Sequence, residues 1–331
     1  NFLPSWWHRN YGVTFGERFV FDPDYRDELY QFMERTVAER FPELKIGSVD
    51  PKPQVIPPDF GNAITPAGAG CEIEYPIDNY PWNKHLENEN ILKLSLPNNL
   101  AEVFPYSEIT RQVHYLNRKL DQDVKPIINP RGVLNDAVLI GGSKFFQDLI
   151  NAEPSAQHLL NYSMGILKAT ISYNHQKLGY TGLTILTNCA VMMISPKLFD
   201  ECFLPYDREL FNLITGFGQE FGIHHCGNFE RYAPQYRKIP SISWLEIGWG
   251  SDIKKTLDLF PESIVQYILS AVFIANATPQ EVDQRILEIL DASRGNWHRF
   301  RLSMPDIEYG TPDENLVQII HTCKKGLPAH E

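Results

Sequence analysis

From about residue 105 onward, short apolar runs alternate with longer segments of helical period. This alternation constrains the fold more than any other feature of the chain. Strands separated by helices pair in parallel through crossover connections. Strands are expected at 124–129, 182–187, 222–226, 242–247, 263–270 and 298–304. Helices are expected at 107–119, 143–150, 155–177, 196–217, 252–259, 278–290 and 311–324. Thr278 and Glu281 have capping-box spacing, and Thr311, Pro312 and Glu314 open the last helix. The number of units fits an α/β fold of the (β/α)8 barrel type. An open doubly wound sheet is the runner-up, but no Gly-rich phosphate loop follows the first strand, which argues against a nucleotide-binding version.

Residues 1–50 read as an N-terminal helical extension. Within it, 22–40 carries Tyr25, Leu29, Phe32 and Val37 at helical spacing after an Asp22 start signal. The segment 47–81 is rich in Pro, Gly and Asp and reads as irregular structure with one short strand. No linker, repeat or low-complexity run divides the chain, so 1–331 is expected to form one barrel domain. The 331 residues are 43% hydrophobic and 21% charged, as a large core requires. A formal charge of -11 without a basic stripe argues against nucleic acid as a partner. The most apolar stretch, 264–277, is too short to span a bilayer and contains Gln266, Ser270 and Asn276. It reads as a buried strand followed by a loop. The five cysteines, Cys71, Cys189, Cys202, Cys226 and Cys323, are odd in number and scattered. They make no disulfide framework and fit a reducing, cytoplasmic compartment.

The strongest local signal is Gly222-Ile223-His224-His225-Cys226-Gly227-Asn228. Side chains along a strand alternate between faces. Phe221, Ile223 and His225 therefore share an apolar face suited to packing under helices. Gly222, His224 and Cys226 share the other, which looks into the barrel. An imidazole and a thiol then meet at the C-terminal end of a strand, where barrel enzymes build their sites, and together they suit zinc. The alternative is a satisfied buried histidine beside an inert cysteine. On the following strand, Trp244, Glu246 and Gly248 face inward. An inward carboxylate needs a partner, either a metal held by His224 and Cys226 or a salt bridge to Arg299 or Arg301. Asn188 and Cys189, at the end of an earlier strand, are candidate pocket residues. Cys202 reads as core, Cys71 as a weak pocket candidate and Cys323 as structural. Trp6 and Trp7 form an aromatic pair whose simplest role is packing under the barrel.

Several stretches resemble the uroporphyrinogen decarboxylase superfamily: Ser195-Pro-Lys-Leu-Phe with Phe203-Leu-Pro-Tyr206, His224-His-Cys-Gly-Asn228, Ala277-Thr-Pro-Gln-Glu-Val282 and Gly310-Thr-Pro-Asp-Glu-Asn315. They follow the family's order and spacing over roughly residues 60–325 and imply a (β/α)8 TIM barrel. The Arg-rich substrate motif of the true decarboxylases is missing; Thr110-Arg-Gln-Val-His-Tyr115 is a partial echo placed in a helix. The His-x-Cys pair resembles the zinc-dependent, corrinoid-linked methyltransferase branch. There a second Cys after the last strand typically completes the zinc site. The matching region here, Leu302-Ser303-Met304-Pro305-Asp306, has none. Glu246 is the expected replacement and Asp306 the reserve.

The resemblance implies a zinc-dependent enzyme with His224, Cys226 and Glu246 as catalytic and metal-binding residues. Trp7, Asn188, Tyr206 and Trp249 are candidate substrate contacts. The opening Trp6-Trp7-His8 and the stretch from Cys71 to Trp82 resemble ether-demethylating members. The expected reaction moves a methyl group from an O-methyl substrate, a methoxylated aromatic, to the Co(I) corrinoid of a partner protein. The chain has no cobalamin-binding Asp-x-His-x-x-Gly motif of its own. The alternatives are methylation of a thiol from the corrinoid, and a metal-free decarboxylase-like or ligand-binding member. A homodimer is a candidate assembly.

Overall fold

The computed structural model describes residues 1–304 and 306–326. Its centre is a parallel sheet of five strands, β3 (Thr184–Thr187), β4 (Phe221–His225), β5 (Trp244–Ile247), β6 (Ile264–Ile268) and β7 (Phe300–Ser303), in sequential order. A short antiparallel pair, β1 (Ile73–Glu74) and β2 (Trp82–Asn83), precedes it. Each central strand is followed by helical segments, as parallel pairing of neighbours requires. The result is an α/β barrel fold. Leu186, Ile223, Leu245, Val265 and Tyr267 are fully buried on the outer face, under the helices. The alternate positions, Thr187, His224, Glu246 and Gln266, are partly accessible on the inner face. The alternation read from the sequence therefore holds on neighbouring strands. Register aligns these inner positions: Thr187 pairs with His224, His224 with Glu246, Glu246 with Gln266, and Gln266 with Arg301.

Regular pairing covers five strands, and the run expected at 124–129 forms no ladder. Pro126 interrupts it and Pro130 follows it, and neither has an N–H to give. Its backbone is satisfied by a side chain instead. Asn174 accepts from the Ile128 N–H at 3.1 Å and donates to the Ile128 carbonyl at 2.8 Å. The segment still approaches the sheet edge, through one parallel bridge between Arg131 and Thr187. Beyond β7, Phe2 bridges Ile307, so the chain's first residues lie along the segment that follows the last strand.

The extension is helical as expected, with helices Pro4–Tyr11, Gly16–Phe21 and Pro23–Arg40. Asp22 caps the third by accepting from the Asp24 and Tyr25 N–H groups. Its buried stripe runs through Arg26, Leu29, Met33 and Val37, leaving Phe32 exposed. The register is set by Arg26, whose buried guanidinium donates to the carbonyls of Phe19 and Val20 and to Gln112. The capping box at Thr278 and Glu281 is present. Residues 271–276 form a helix, Ala271–Asn276, capped by Ser270, where a loop was expected. Helix Val133–Gly141 is buried almost all round, so it carries no amphipathic signal to read. Among the described residues no helix is long and apolar enough to cross a membrane.

The ends of β4 and β5 touch. A Cβ on Gly248 would stand 2.2 Å from the Gly227 backbone nitrogen. Gly248→Ala should force these turns apart and cost about 1–3 kcal/mol, the usual cost of overpacking. Urea denaturation would show it as a lower midpoint at unchanged slope. An unchanged midpoint would mean that the turns yield freely.

Candidate metal centre

β4 delivers His224 inward from its penultimate position and Cys226 from the residue just past its end. β3 delivers a third group. After Thr187 the chain turns into a short 3-10 segment, Cys189–Met193. The Asn188 N–H donates to the His224 carbonyl, and Asn135 accepts from the Ala190 N–H at 2.6 Å. This fixes the turn so that the Cys189 Sγ lies 3.0 Å from the Cys226 Sγ, which is itself 3.1 Å from His224 Nε2. The ligand atoms of Cys189, His224 and Cys226 all lie within 4.8 Å of one another, and all three residues are half-buried.

Glu246 has a different place from the one expected. Its Oε2 lies 2.6 Å from His224 Nδ1, on the side of the ring away from the thiols. Its Oε1 accepts from Gln266 Nε2 at 2.5 Å. Glu246 therefore orients the imidazole and is not one of the converging ligand atoms. The parallel register explains this: the carboxylate stands directly beside the ring on the neighbouring strand, too close to reach past it. Neither arginine considered as a partner takes it. Arg299 donates to Asn296 and to the carbonyls of Leu257, Phe260 and Ser263, and Arg301 donates to the carbonyls of Trp297, His298 and Phe300. Asp306 is exposed and outside the cluster.

The donors are electrostatically coupled. Burial lowers the His224 pKa, but hydrogen bonds and charge from Cys226 and Glu246 outweigh it and push the imidazole up to about 9. The Cys226 hydrogen bond holds the Cys189 thiol below its ordinary value, and the Cys226 thiol is raised, first by Cys189 and then by burial. The adjacent His225 is the opposite case. It is fully buried on the outer face, 3.1 Å from the Tyr236 hydroxyl, and burial depresses it to about 4. Strand parity alone separates the two neighbours.

The donor set fits zinc. Two thiols and one imidazole are a ligand set of the tetrahedral kind, and three protein ligands leave one position open. Zinc bond lengths of about 2.0–2.3 Å imply donors about 3.5 Å apart, close to the spacing here. A carboxylate on the far nitrogen of the ligating histidine is the usual supporting contact.

The other expected site residues lie elsewhere. Asn188 is buried, and its amide donates to Asp207 at 2.6 Å, so it is a structural link and not a substrate contact. Trp249 packs outward, stacked on Phe273 at 5.0 Å and under the Arg285 guanidinium at 4.7 Å. Tyr206 is half-buried on the first turn of helix Leu204–Gly216 and lines none of the described cavities. Trp7 is buried against Phe2, Trp6 and Tyr11. It lines an apolar cavity of about 480 Å³ with Phe15, Phe19, Met33 and Met304, away from the three ligand atoms. A second cavity, about 820 Å³, is lined by Asp59, Gly61, Asn62, Tyr80, Trp82 and His85 among others. Neither is lined by the thiols or the imidazole. Cys202 is exposed and not core, and Cys71 is buried with its thiol pushed up to about 11 by burial. The sequence marks Cys189 as a candidate pocket residue but not as a member of the His224 and Cys226 cluster. The signal was available: Ile185, Thr187 and Cys189 continue one strand face, as His224 and Cys226 do.

The family pattern described as Uroporphyrinogen decarboxylase (URO-D) matches residues 56–326. The chain belongs to the uroporphyrinogen decarboxylase family. Among solved structures, a methyltransferase from Methanosarcina mazei matches with a TM-score of 0.67 at 13% identity, covering 96% of this chain and 89% of that one. At that identity the likeness is one of fold. No curated protein matches by sequence. For this member of the uroporphyrinogen decarboxylase family, the cluster at the strand ends is the site to explain.

Asp207, fully buried under Asn188, is pushed up to about 7 by burial, against the Asn188 hydrogen bond that lowers it. Between pH 4 and 7 the folded protein keeps a proton that the unfolded chain releases, so this group's stabilisation is present in acid and lost as pH rises through 7. Asp207→Asn removes that dependence. Its stability relative to wild type should grow from pH 4 to pH 7 by on the order of 3 kcal/mol. Denaturation series at several pH values test this, and a flat difference would contradict it.

Proposed function

We propose that this protein is a zinc-dependent methyltransferase that moves a methyl group from an O-methyl substrate, a methoxylated aromatic, to the Co(I) corrinoid of a partner protein. The convergence of Cys189, His224 and Cys226 carries this reading. The family membership, the methyltransferase fold neighbour and the missing decarboxylase motif support it. Cys189, His224 Nε2 and Cys226 would hold the metal. Zinc bound there supplies Lewis acidity to an ether oxygen, which stabilises the negative charge that develops as an alkoxide or phenoxide leaves.

The chain's own residues prepare that chemistry. Glu246 accepts the His224 Nδ1–H, so Nε2, which faces the thiols, is the nitrogen that would give up its proton to a metal. Gln266 donates to Glu246 and keeps the carboxylate from rotating off the ring. Two thiolates and a neutral imidazole offset the two charges of the metal, leaving the site near neutral. The corrinoid arrives on another protein, as the sequence has no cobalamin motif of its own.

A second reading has a specific observation behind it. Two thiols and an imidazole would leave a fourth zinc position that a substrate thiolate could also take, so the reaction could run from methylcorrinoid to a thiol. Incubating the enzyme with Co(I) cobalamin and methoxyarenes, and following methylation of the corrinoid by absorbance, tests the first direction. Methylcobalamin with a thiol tests the second. Activity only in the second assay reverses the proposed direction.

Metal analysis tests the ligand assignment. Cys189→Ala and Cys226→Ala should each lower bound zinc to near zero at micromolar metal. Glu246→Gln should still bind one zinc per chain at saturation, with affinity lowered about 10- to 100-fold. Loss of all zinc in Glu246→Gln, with full retention in Cys189→Ala, would restore Glu246 as the third ligand.

A further inference from the structure

We propose that the hydroxyl of Tyr236, tied to Asn188 and His225, positions the two arms of the metal cluster from the outer side of the sheet. The inference rests on the metal assignment of Cys189, His224 and Cys226, and is independent of the methyl-transfer step. The cluster stands where ladder pairing ends. Thr187 and His224 are the last register pair of β3 and β4. The Asn188 N–H to the His224 carbonyl is the last backbone hydrogen bond between the two arms among the described residues. Beyond it Cys189 enters a 3-10 turn, and the chain leaves Cys226 through Gly227 at a φ of 74°. Backbone pairing therefore stops just short of the two sulfurs whose spacing matters.

Strand parity supplies a tie on the other face. Asn188 lies between Thr187 and Cys189, and His225 between His224 and Cys226, so both point away from the cluster. Each meets the same oxygen. The Asn188 amide donates to Tyr236 Oη at 3.4 Å, and His225 Nδ1 lies 3.1 Å from it. A phenol has one hydrogen to give. Asn188 is the donor on one side, so the hydroxyl gives its own hydrogen to His225 Nδ1 on the other. The second amide hydrogen of Asn188 goes to Asp207 at 2.6 Å. Asp207, Asn188, Tyr236 and His225 thus form one buried chain that spans both arms. Tyr236 closes the short helix Ala233–Tyr236, and its ring is wedged between Phe229, stacked at 5.4 Å, and Phe199 at 5.1 Å. With the ring fixed, either arm can shift only by breaking a buried hydrogen bond, which is costly. Donors already held near the right spacing bind a metal more tightly than donors that must first be gathered. Tyr236 makes no hydrogen bond to a ligand atom, so it is a positioning residue.

Zinc competition against a chromophoric chelator, and the visible spectrum of the cobalt(II)-substituted protein, read this arrangement without any methyl transfer. Tyr236→Phe keeps the ring and removes the oxygen. It should lower zinc affinity about 10-fold or more and alter the ligand-field bands of cobalt(II). His225→Leu removes the acceptor of the hydroxyl and should act in the same direction. It sets an apolar side chain among Phe229, Tyr232 and Tyr236, where His225 Nε2 has no hydrogen-bond partner, so it keeps the test intact should Tyr236→Phe misfold. The double variant should lose no more affinity than the weaker-binding single variant, because both remove one contact. Tyr173→Phe is the control. It removes another buried tyrosine hydroxyl bond, 2.6 Å to Thr110, between helices Pro154–Gln176 and Tyr106–Leu120, and should cost stability while leaving zinc affinity and the cobalt(II) bands unchanged. Unchanged affinity and bands in both Tyr236→Phe and His225→Leu overturn the proposal, as does an equal loss in Tyr173→Phe. Wild-type protein that binds neither zinc nor cobalt(II) removes the metal assignment and this proposal with it. Metal affinity that depends on Tyr236, without methylation of Co(I) cobalamin by any methoxyarene, keeps the positioning role and removes the methyl-transfer reading.

Discussion

The contact between Glu246 and His224 organises the site. It exists because β4 and β5 run parallel in a register that sets the two residues side by side on the inner face. The imidazole then has one nitrogen committed to the carboxylate and the other turned toward two thiols. A shift of one residue would send Ile223 or His225 inward and Glu246 under the helices. The outer face resists such a slip, since Ile223, Leu245, Val265 and Tyr267 are fully buried there. Packing on one face thus holds chemistry on the other.

The same register extends beyond the cluster of Cys189, His224 and Cys226. Gln266 continues the layer on β6 and holds the free carboxylate oxygen, while Thr187 and Arg131 continue it in the other direction. One layer of inward positions therefore carries an acceptor chain for the histidine at its centre and a guanidinium at its edge. Arg131 reaches this position on a segment without ladder pairing, and Asn174 replaces the missing backbone partners. That substitution lets a Pro-interrupted run occupy a strand position at the sheet edge.

Much of this was legible in the residues. Strand alternation separated His224 and Cys226 from His225, and the structure gives His225 a wholly different environment, buried against Phe229, Tyr232 and Tyr236. The helix caps at Asp22 and Thr278 were visible because they depend on local spacing alone. Family motifs near Ser195, His224, Thr278 and Thr311 located the barrel units. The fully buried helix Val133–Gly141 was hidden, because apolar residues on all sides leave no period to detect.

What the sequence determined by itself was the parity of each strand, hence which side chains face inward, and the turn and cap chemistry that starts the helices. These follow from backbone geometry within a few residues. Only the tertiary structure decided how the strands stand against one another. That relation brought Cys189 to His224 and Cys226, set Glu246 on the far nitrogen of the His224 ring, and sent Trp249 to Phe273 and Arg285 on the outer side. Cys189 and Cys226 are 37 residues apart in the chain, yet their sulfurs lie 3.0 Å apart. Register and loop closure between strands depend on summed packing over the whole sheet, which no local pattern encodes.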